Sequence, residues 1–144
     1  MKKQVDDRWR IHVDTGGTFT DCLIELGGKT RRTKVLSNGS LPGVVQELIG
    51  SRSFRIQSPW VAPDDFPVGF QVSFSNHPDC EGRVSGYQSD SGLLQLDDDL
   101  PFDPQLGEPI ELISKWEAPI LAAKLGLAAE GLRLDAAALP RFDD

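Results

Sequence analysis

Residues 8–14, Arg8-Trp9-Arg10-Ile11-His12-Val13-Asp14, alternate apolar and polar side chains. Trp9, Ile11 and Val13 fall on one side, and Arg10, His12 and Asp14 on the other. That is the period-two pattern of a half-buried strand. Thr15-Gly16-Gly17-Thr18 breaks the run, because two glycines permit backbone angles that other residues resist. Residues 18–26 (TFTDCLIEL) resume an extended, β-branched and apolar stretch. Gly27-Gly28 is a hairpin signal, and residues 29–36 (KTRRTKVL) read as a third strand. The stretch 8–36 is therefore expected to form a three-stranded antiparallel meander, with Asp14 at the loop end of its first strand.

Beyond it, Ser37-Asn38-Gly39-Ser40 reads as a loop. Residues 43–49 suit a strand better than a short helix, because the run is brief and carries Val44 and Val45. Further strands are expected at 52–57, 68–74, 83–88, 93–96 and 110–113. Their connectors, among them NHPDCEG at 76–82, are dense in turn formers. Short strands at this spacing predict a small barrel or sandwich. Residues 117–127 (EAPILAAKLGL) are good helix formers, with Pro119 tolerable in a first turn. A second short helix is expected at 134–139. The fold class is thus α+β, mostly β, divided as a meander over 1–40, a β-rich unit over 41–114 and a helical segment with tail over 115–144.

The 144 residues suit one domain, or one domain carrying an insertion. Hydrophobic residues make up 39% and charged residues 26%, ordinary globular values that argue against wholesale disorder. A formal net charge of −7 argues against a nucleic-acid or anionic-membrane partner. No apolar run reaches the length of a membrane-spanning helix, and MKKQVDDRWR does not read as a secretory signal. Two cysteines, Cys22 and Cys80, make no disulfide framework, so a cytoplasmic setting is expected. The charge is uneven. Residues 1–34 hold eight basic and five acidic side chains, whereas residues 61–117 hold twelve acidic ones against Arg83 and Lys115 alone.

Asp14-Thr15-Gly16-Gly17-Thr18-Phe19-Thr20-Asp21 carries the chemistry. Gly16 and Gly17 let a ligand approach the backbone and aim consecutive N–H groups at an anion such as phosphate. Thr15, Thr18 and Thr20 supply hydroxyls. Asp14 suits a hydrated Mg²⁺ that bridges phosphates. The loop lacks the lysine of a P-loop and the spacing of a dinucleotide site. The plainer alternative is a hairpin turn with ordinary turn residues.

VDTGGTFTD, followed by Lys34-Val35-Leu36-Ser37, resembles the opening of the hydantoinase/5-oxoprolinase family, and EAPILAA at 117–123 resembles that family's E-A-P-x-L-A-A helix. The resemblance implies a ribonuclease-H-like lobe of the actin, Hsp70 and sugar-kinase kind, with the β-rich stretch as an insertion. It implies the N-terminal part of an ATP-dependent hydrolase of a cyclic amide, 5-oxoproline or a hydantoin, in which ATP activates the amide oxygen. Asp14 would then stand by Mg²⁺ and the nucleophile. Thr15, Gly16, Gly17 and Thr18 would cradle phosphates, Thr20 and Asp21 would brace the loop, and Lys34 would reach a phosphate. Family members are far longer, so the chain is expected to be a fragment or truncated relative, inactive alone. Its partner would be a second lobe from the remainder of the enzyme or from another subunit. The rival reading is a non-catalytic β-rich binding or assembly module that keeps the hairpin only as structure.

Other groupings are weaker. His12, Cys22, His77 and Cys80 give a zinc-like count, but only His77-x-x-Cys80 has ligand spacing. Asp97-Asp98-Asp99 lacks the alternation of a calcium loop. Trp60, Phe66, Phe70 and Phe74 are expected in the core of the β-rich unit.

Overall fold

The computed structural model describes residues 9–128. Three strands open the chain: β1 (Trp9–Thr15), β2 (Phe19–Leu26) and β3 (Lys29–Leu36). They pair antiparallel in sequence order, as the alternation predicts. The pleat sends Ile11, Cys22, Ile24 and Val35 to one face, where they are buried. Asp14, Asp21 and Lys34 share the opposite, exposed face.

Six more strands follow: β4 (Ser40–Gly50), β5 (Ser53–Gln57), β6 (Gln71–Phe74), β7 (His77–Gln88), β8 (Leu93–Leu96) and β9 (Pro109–Ile113). Their order is β4-β5-β8-β7-β6-β9, and β9 returns to pair with β4, so the strands close into an antiparallel barrel. Closure leaves no free edge within the ring. Opposed residues meet inside it: Leu41 against Leu112, Val45 against Ile56, Phe54 against Leu94, Val84 against Leu96. All eight are buried. Phe54 and Phe74 add an aromatic contact with ring centroids 5.7 Å apart. Trp60, Phe70 and Phe74 are buried and Phe66 packs against the core, as expected. Trp60 also donates its indole N–H to the Pro42 carbonyl at 2.7 Å.

The helix α1 (Ala118–Ala128) then comes back to lie on the inner face of β1–β3. Its side chains Leu121, Leu125 and Leu127 are buried, and Thr33 donates its hydroxyl to the Ala122 carbonyl at 2.8 Å. Gly126 permits the close approach, because a Cβ there would collide with Ile24. The barrel thus interrupts a meander-then-helix unit in sequence, and the helix completes that unit in space. The helix expected at 134–139 lies outside the described residues.

Three boundaries need correction. The loop expected at Ser37–Ser40 is a tight turn over 37–39, with Ser40 already in β4: Gly39 and Ser40 are buried, and the Gly39 N–H bonds the Leu36 carbonyl. Gly39 has φ 82°, and a Cβ there would collide with the Trp116 carbonyl. Val68–Phe70 is not strand. It is held in turns by Val68 N–H to Asp65 O and Phe70 N–H to Pro67 O. Conversely, most of NHPDCEG belongs to β7, because Phe74 pairs directly with His77 across a turn of Ser75 and Asn76.

Candidate functional site

The β1–β2 register sets Asp14 directly opposite Asp21, and the β2–β3 register sets Asp21 opposite Lys34. Cross-strand partners point to the same face about 5 Å apart. Two carboxylates and an ammonium therefore form one row on the open face, next to the turn. The adjacent row is His12, Leu23 and Arg32. All of these residues except Lys34 border a shallow hollow of about 420 Å³. Sequence reading does not place Arg32 in a site, and it places His12 only in the weak zinc-like count. Period-two spacing was their signal, since Arg32 is two residues from Lys34 and His12 two from Asp14.

Lys34 does not reach free into this hollow. Its Nζ lies 3.9 Å from Asp21 Oδ1 and 4.8 Å from the centroid of the Phe19 ring. The pair is exposed, so it contributes little to stability. His12 Nε2 lies 3.7 Å from Glu25 Oε2.

The turn is braced by Ser37, just past the end of β3. Ser37 donates its backbone N–H to the Thr18 carbonyl at 2.8 Å and its hydroxyl to the Gly16 carbonyl at 2.9 Å. Its oxygen also lies 3.0 Å from the hydroxyl of Thr20, which is fully buried. A hydroxyl has one proton, and Ser37 has given its own to Gly16, so Thr20 donates to Ser37. Thr20 is therefore an internal brace and offers no hydroxyl to a ligand. Thr15 and Thr18 are exposed.

The two glycines differ. Gly16 gives its N–H to the Phe19 carbonyl at 2.9 Å, and a Cβ at Gly16 would press on that same oxygen at 3.1 Å. The turn itself therefore explains Gly16, and its amide is not available to an anion. Gly17 has open space where a Cβ would be, and its φ is outside the left-handed region. The fold gives no reason for a glycine at 17. Among the described residues, the N–H groups of Gly17 and Thr18 have no backbone partner outside regular strands.

Asp14 and Asp21 suit Mg²⁺, which takes one or two carboxylates and completes its shell with water or phosphate. Among the described residues no group of three or more His, Cys, Asp or Glu side chains is placed to hold a metal. Cys22 lies on the helix-covered face, and burial pushes its thiol up to about 11 against a smaller opposing effect of its bond with Thr33. A thiol so protonated is neither nucleophile nor metal ligand near neutrality. Cys80 is also raised, by desolvation first and the Glu81 charge second. No helix among the described residues is long and apolar enough to cross a membrane.

No family model, curated protein or solved structure matches the chain.

Proposed function

We propose that this chain supplies the first phosphate-contacting loop of an ATP-dependent hydrolase of cyclic amides, of the 5-oxoproline or hydantoin type. Within a ribonuclease-H-like lobe, Gly17 and Thr18 would present amide groups and Thr15 and Thr18 hydroxyls to the phosphates. Asp14, with Asp21 beside it, would hold Mg²⁺ and stand nearest the reacting phosphoryl group. Catalysis of phosphoryl transfer is chiefly positioning and neutralisation of charge, which is what such a loop and carboxylate pair provide. Thr20 and Ser37 would keep the turn in shape, and Lys34 would serve Asp21. The nucleotide's base and the far side of the phosphates need a second lobe, from the remainder of the enzyme or a partner subunit.

The observation that carries this reading is Gly17. A hairpin alone accounts for Gly16 but leaves Gly17 unexplained, and close approach of a ligand explains it. One observation favours the rival, a binding or assembly module with a purely structural hairpin: the Gly16 amide is already used inside the turn.

Titration of ATP·Mg²⁺ into the 144-residue chain, followed by amide resonances, separates the two. The phosphate reading expects shifts at Gly17, Thr18 and Asp14 with a dissociation constant of about 1 mM or weaker, because one loop leaves the phosphates largely in water. No shift at these amides would leave the hairpin structural. Micromolar binding would remove the need for a second lobe.

A further inference from the structure

A second hollow, of about 430 Å³, lies on the outer wall of the barrel, where β9 runs out toward α1. Its base is a row across three strands: Gln71 of β6 pairs with Arg83 of β7 on one side and with Ile113 of β9 on the other. Phe70 and Trp116 wall one end, packed edge-on with ring centroids 5.7 Å apart. Val68, 45% exposed, forms part of the lip.

Its charge sets it apart. Between residues 61 and 117 the chain has twelve carboxylates and only two basic side chains, Arg83 and Lys115. Both basic side chains line this hollow, and among the described residues no carboxylate does. The hollow on the meander, and the smaller one of about 250 Å³ beside Trp60, each include the Asp21 carboxylate. Arg83 is exposed and donates Nη1 to the Gly69 carbonyl at 3.3 Å, and Lys115 Nζ sits 5.8 Å from the Trp116 ring centroid. Solvation alone gives no reason for the only two cations of an acidic segment, far apart in sequence, to meet at one aromatic-walled groove.

We propose that this groove binds a small organic anion: a carboxylate attached to a flat apolar body. The carboxylate would bond Arg83 and Lys115 in charge-assisted fashion. The body would lie against Val68 and Trp116, with Phe70 buried behind them, and Gln71 would add a neutral donor or acceptor. The volume fits a ligand of this class, for such sites run from about 300 to 1,000 Å³ and combine apolar walls with a few polar groups. The site is separate from the meander and does not depend on the phosphate-loop reading.

The probe is 2-naphthoate, titrated into the 144-residue chain and followed by amide and indole resonances. Shifts are expected at Gln71, Arg83, Lys115 and the Trp116 indole, with a dissociation constant of about 0.1–1 mM. The neutral amide 2-naphthamide should bind at least about tenfold more weakly, since it loses the charge-assisted bonds. Inorganic phosphate should leave these resonances in place. Lys115→Glu should weaken naphthoate binding about tenfold or more, by charge reversal at an exposed side chain that leaves the fold intact. Arg83→Gln should act in the same direction. Equal binding of the naphthamide, equal shifts from phosphate, an unaltered affinity in Lys115→Glu, or shifts confined to the meander would each overturn the proposal.

Discussion

The barrel and the meander solve the same problem in opposite ways. In the barrel, β9 pairs back to β4, every strand has two neighbours, and the apolar side chains point into one enclosed interior. In the meander, among the described residues, β1 pairs only with β2, and β3 meets β4 only at Leu36 and Ser40. One face is covered by α1, and the other carries Asp14, Asp21, Arg32 and Lys34 in the open. The closed unit is finished as a structure. Among the described residues the open unit keeps two carboxylates side by side and two strands with mostly unpaired edges, arrangements that stability alone would not select. Departures from local stability of this kind concentrate where a protein does its work.

The largest test of the contrast is in the barrel. Phe74 is fully buried between Phe54 and Phe102, 5.7 Å and 5.1 Å away by ring centroids. Phe74→Ala should cost about 3–5 kcal/mol, seen as a lower urea midpoint. If the meander and helix melt together with the barrel, one transition moves as a whole. If the hydrogen exchange of Ile11 and Cys22 is unaffected, the two units are energetically separate.

Gly39 joins them. It lies in the turn from β3 to β4 at φ 82°, against the backbone of Trp116 at the entry to α1. Gly39→Ala adds a strained backbone angle and a clash with a carbonyl, neither of which can relax through a side-chain rotation. A loss of about 2 kcal/mol is expected, with the exchange of β3 and α1 amides rising more than that of β6–β9. Equal loosening everywhere would make the junction part of a single cooperative core.

Sequence legibility follows the same division. Local alternation is visible in Ile11-His12-Val13-Asp14, and a hairpin of known length then decides that Asp14 faces Asp21. Arg32 and Lys34 join that face by period two alone. What alternation cannot carry is long-range register. Closure of β4 on β9 depends on residues such as Leu41 and Leu112 meeting, so barrel and sandwich look alike in the sequence. His77–Glu81 is built of turn formers, yet tertiary structure makes it strand. The buried Glu108 carboxylate accepts the Asn76 N–H at 2.9 Å and the Gln105 N–H at 3.1 Å, which pins the β6–β7 turn at Ser75 and Asn76. Within the site, the capture of the Gly16 amide by Phe19 is local, but it depends on the backbone geometry of the turn, which alternation does not carry.

Cys22 gives a smaller effect, confined to the meander. Its thiol moves from 9.0 to about 11 on folding, because burial disfavours the thiolate. Between those values the unfolded chain has lost the proton and the folded chain keeps it. Stability should therefore be unaffected below pH 9 and fall as pH rises above it, by at most about 1.4 kcal/mol per unit. Cys22→Ala should flatten that fall in urea unfolding. Cys80, half exposed on β7, should react with a thiol reagent well before Cys22. Faster labelling of Cys22 would mean that α1 lifts readily from the meander.

The smallest effect bears most directly on what the open face is for. Asp14 and Asp21 are opposed like charges, and such a pair destabilises a sheet by about 0.2–1 kcal/mol. Asp14→Asn should raise the urea midpoint slightly and reduce its dependence on salt, since exposed repulsion is what salt screens. Mg²⁺ then distinguishes a solvated pair from a metal-holding one. If the two carboxylates hold the ion together, millimolar Mg²⁺ stabilises the natural protein, while Asp14→Asn responds no more than to a matched ionic strength of Na⁺. The mutation and the metal remove the same repulsion, so their effects should not add. Additive effects would place the Mg²⁺ elsewhere. No response to Mg²⁺ in either protein would leave the opposed carboxylates as a solvated pair that waits, at most, for phosphate to bring the metal in.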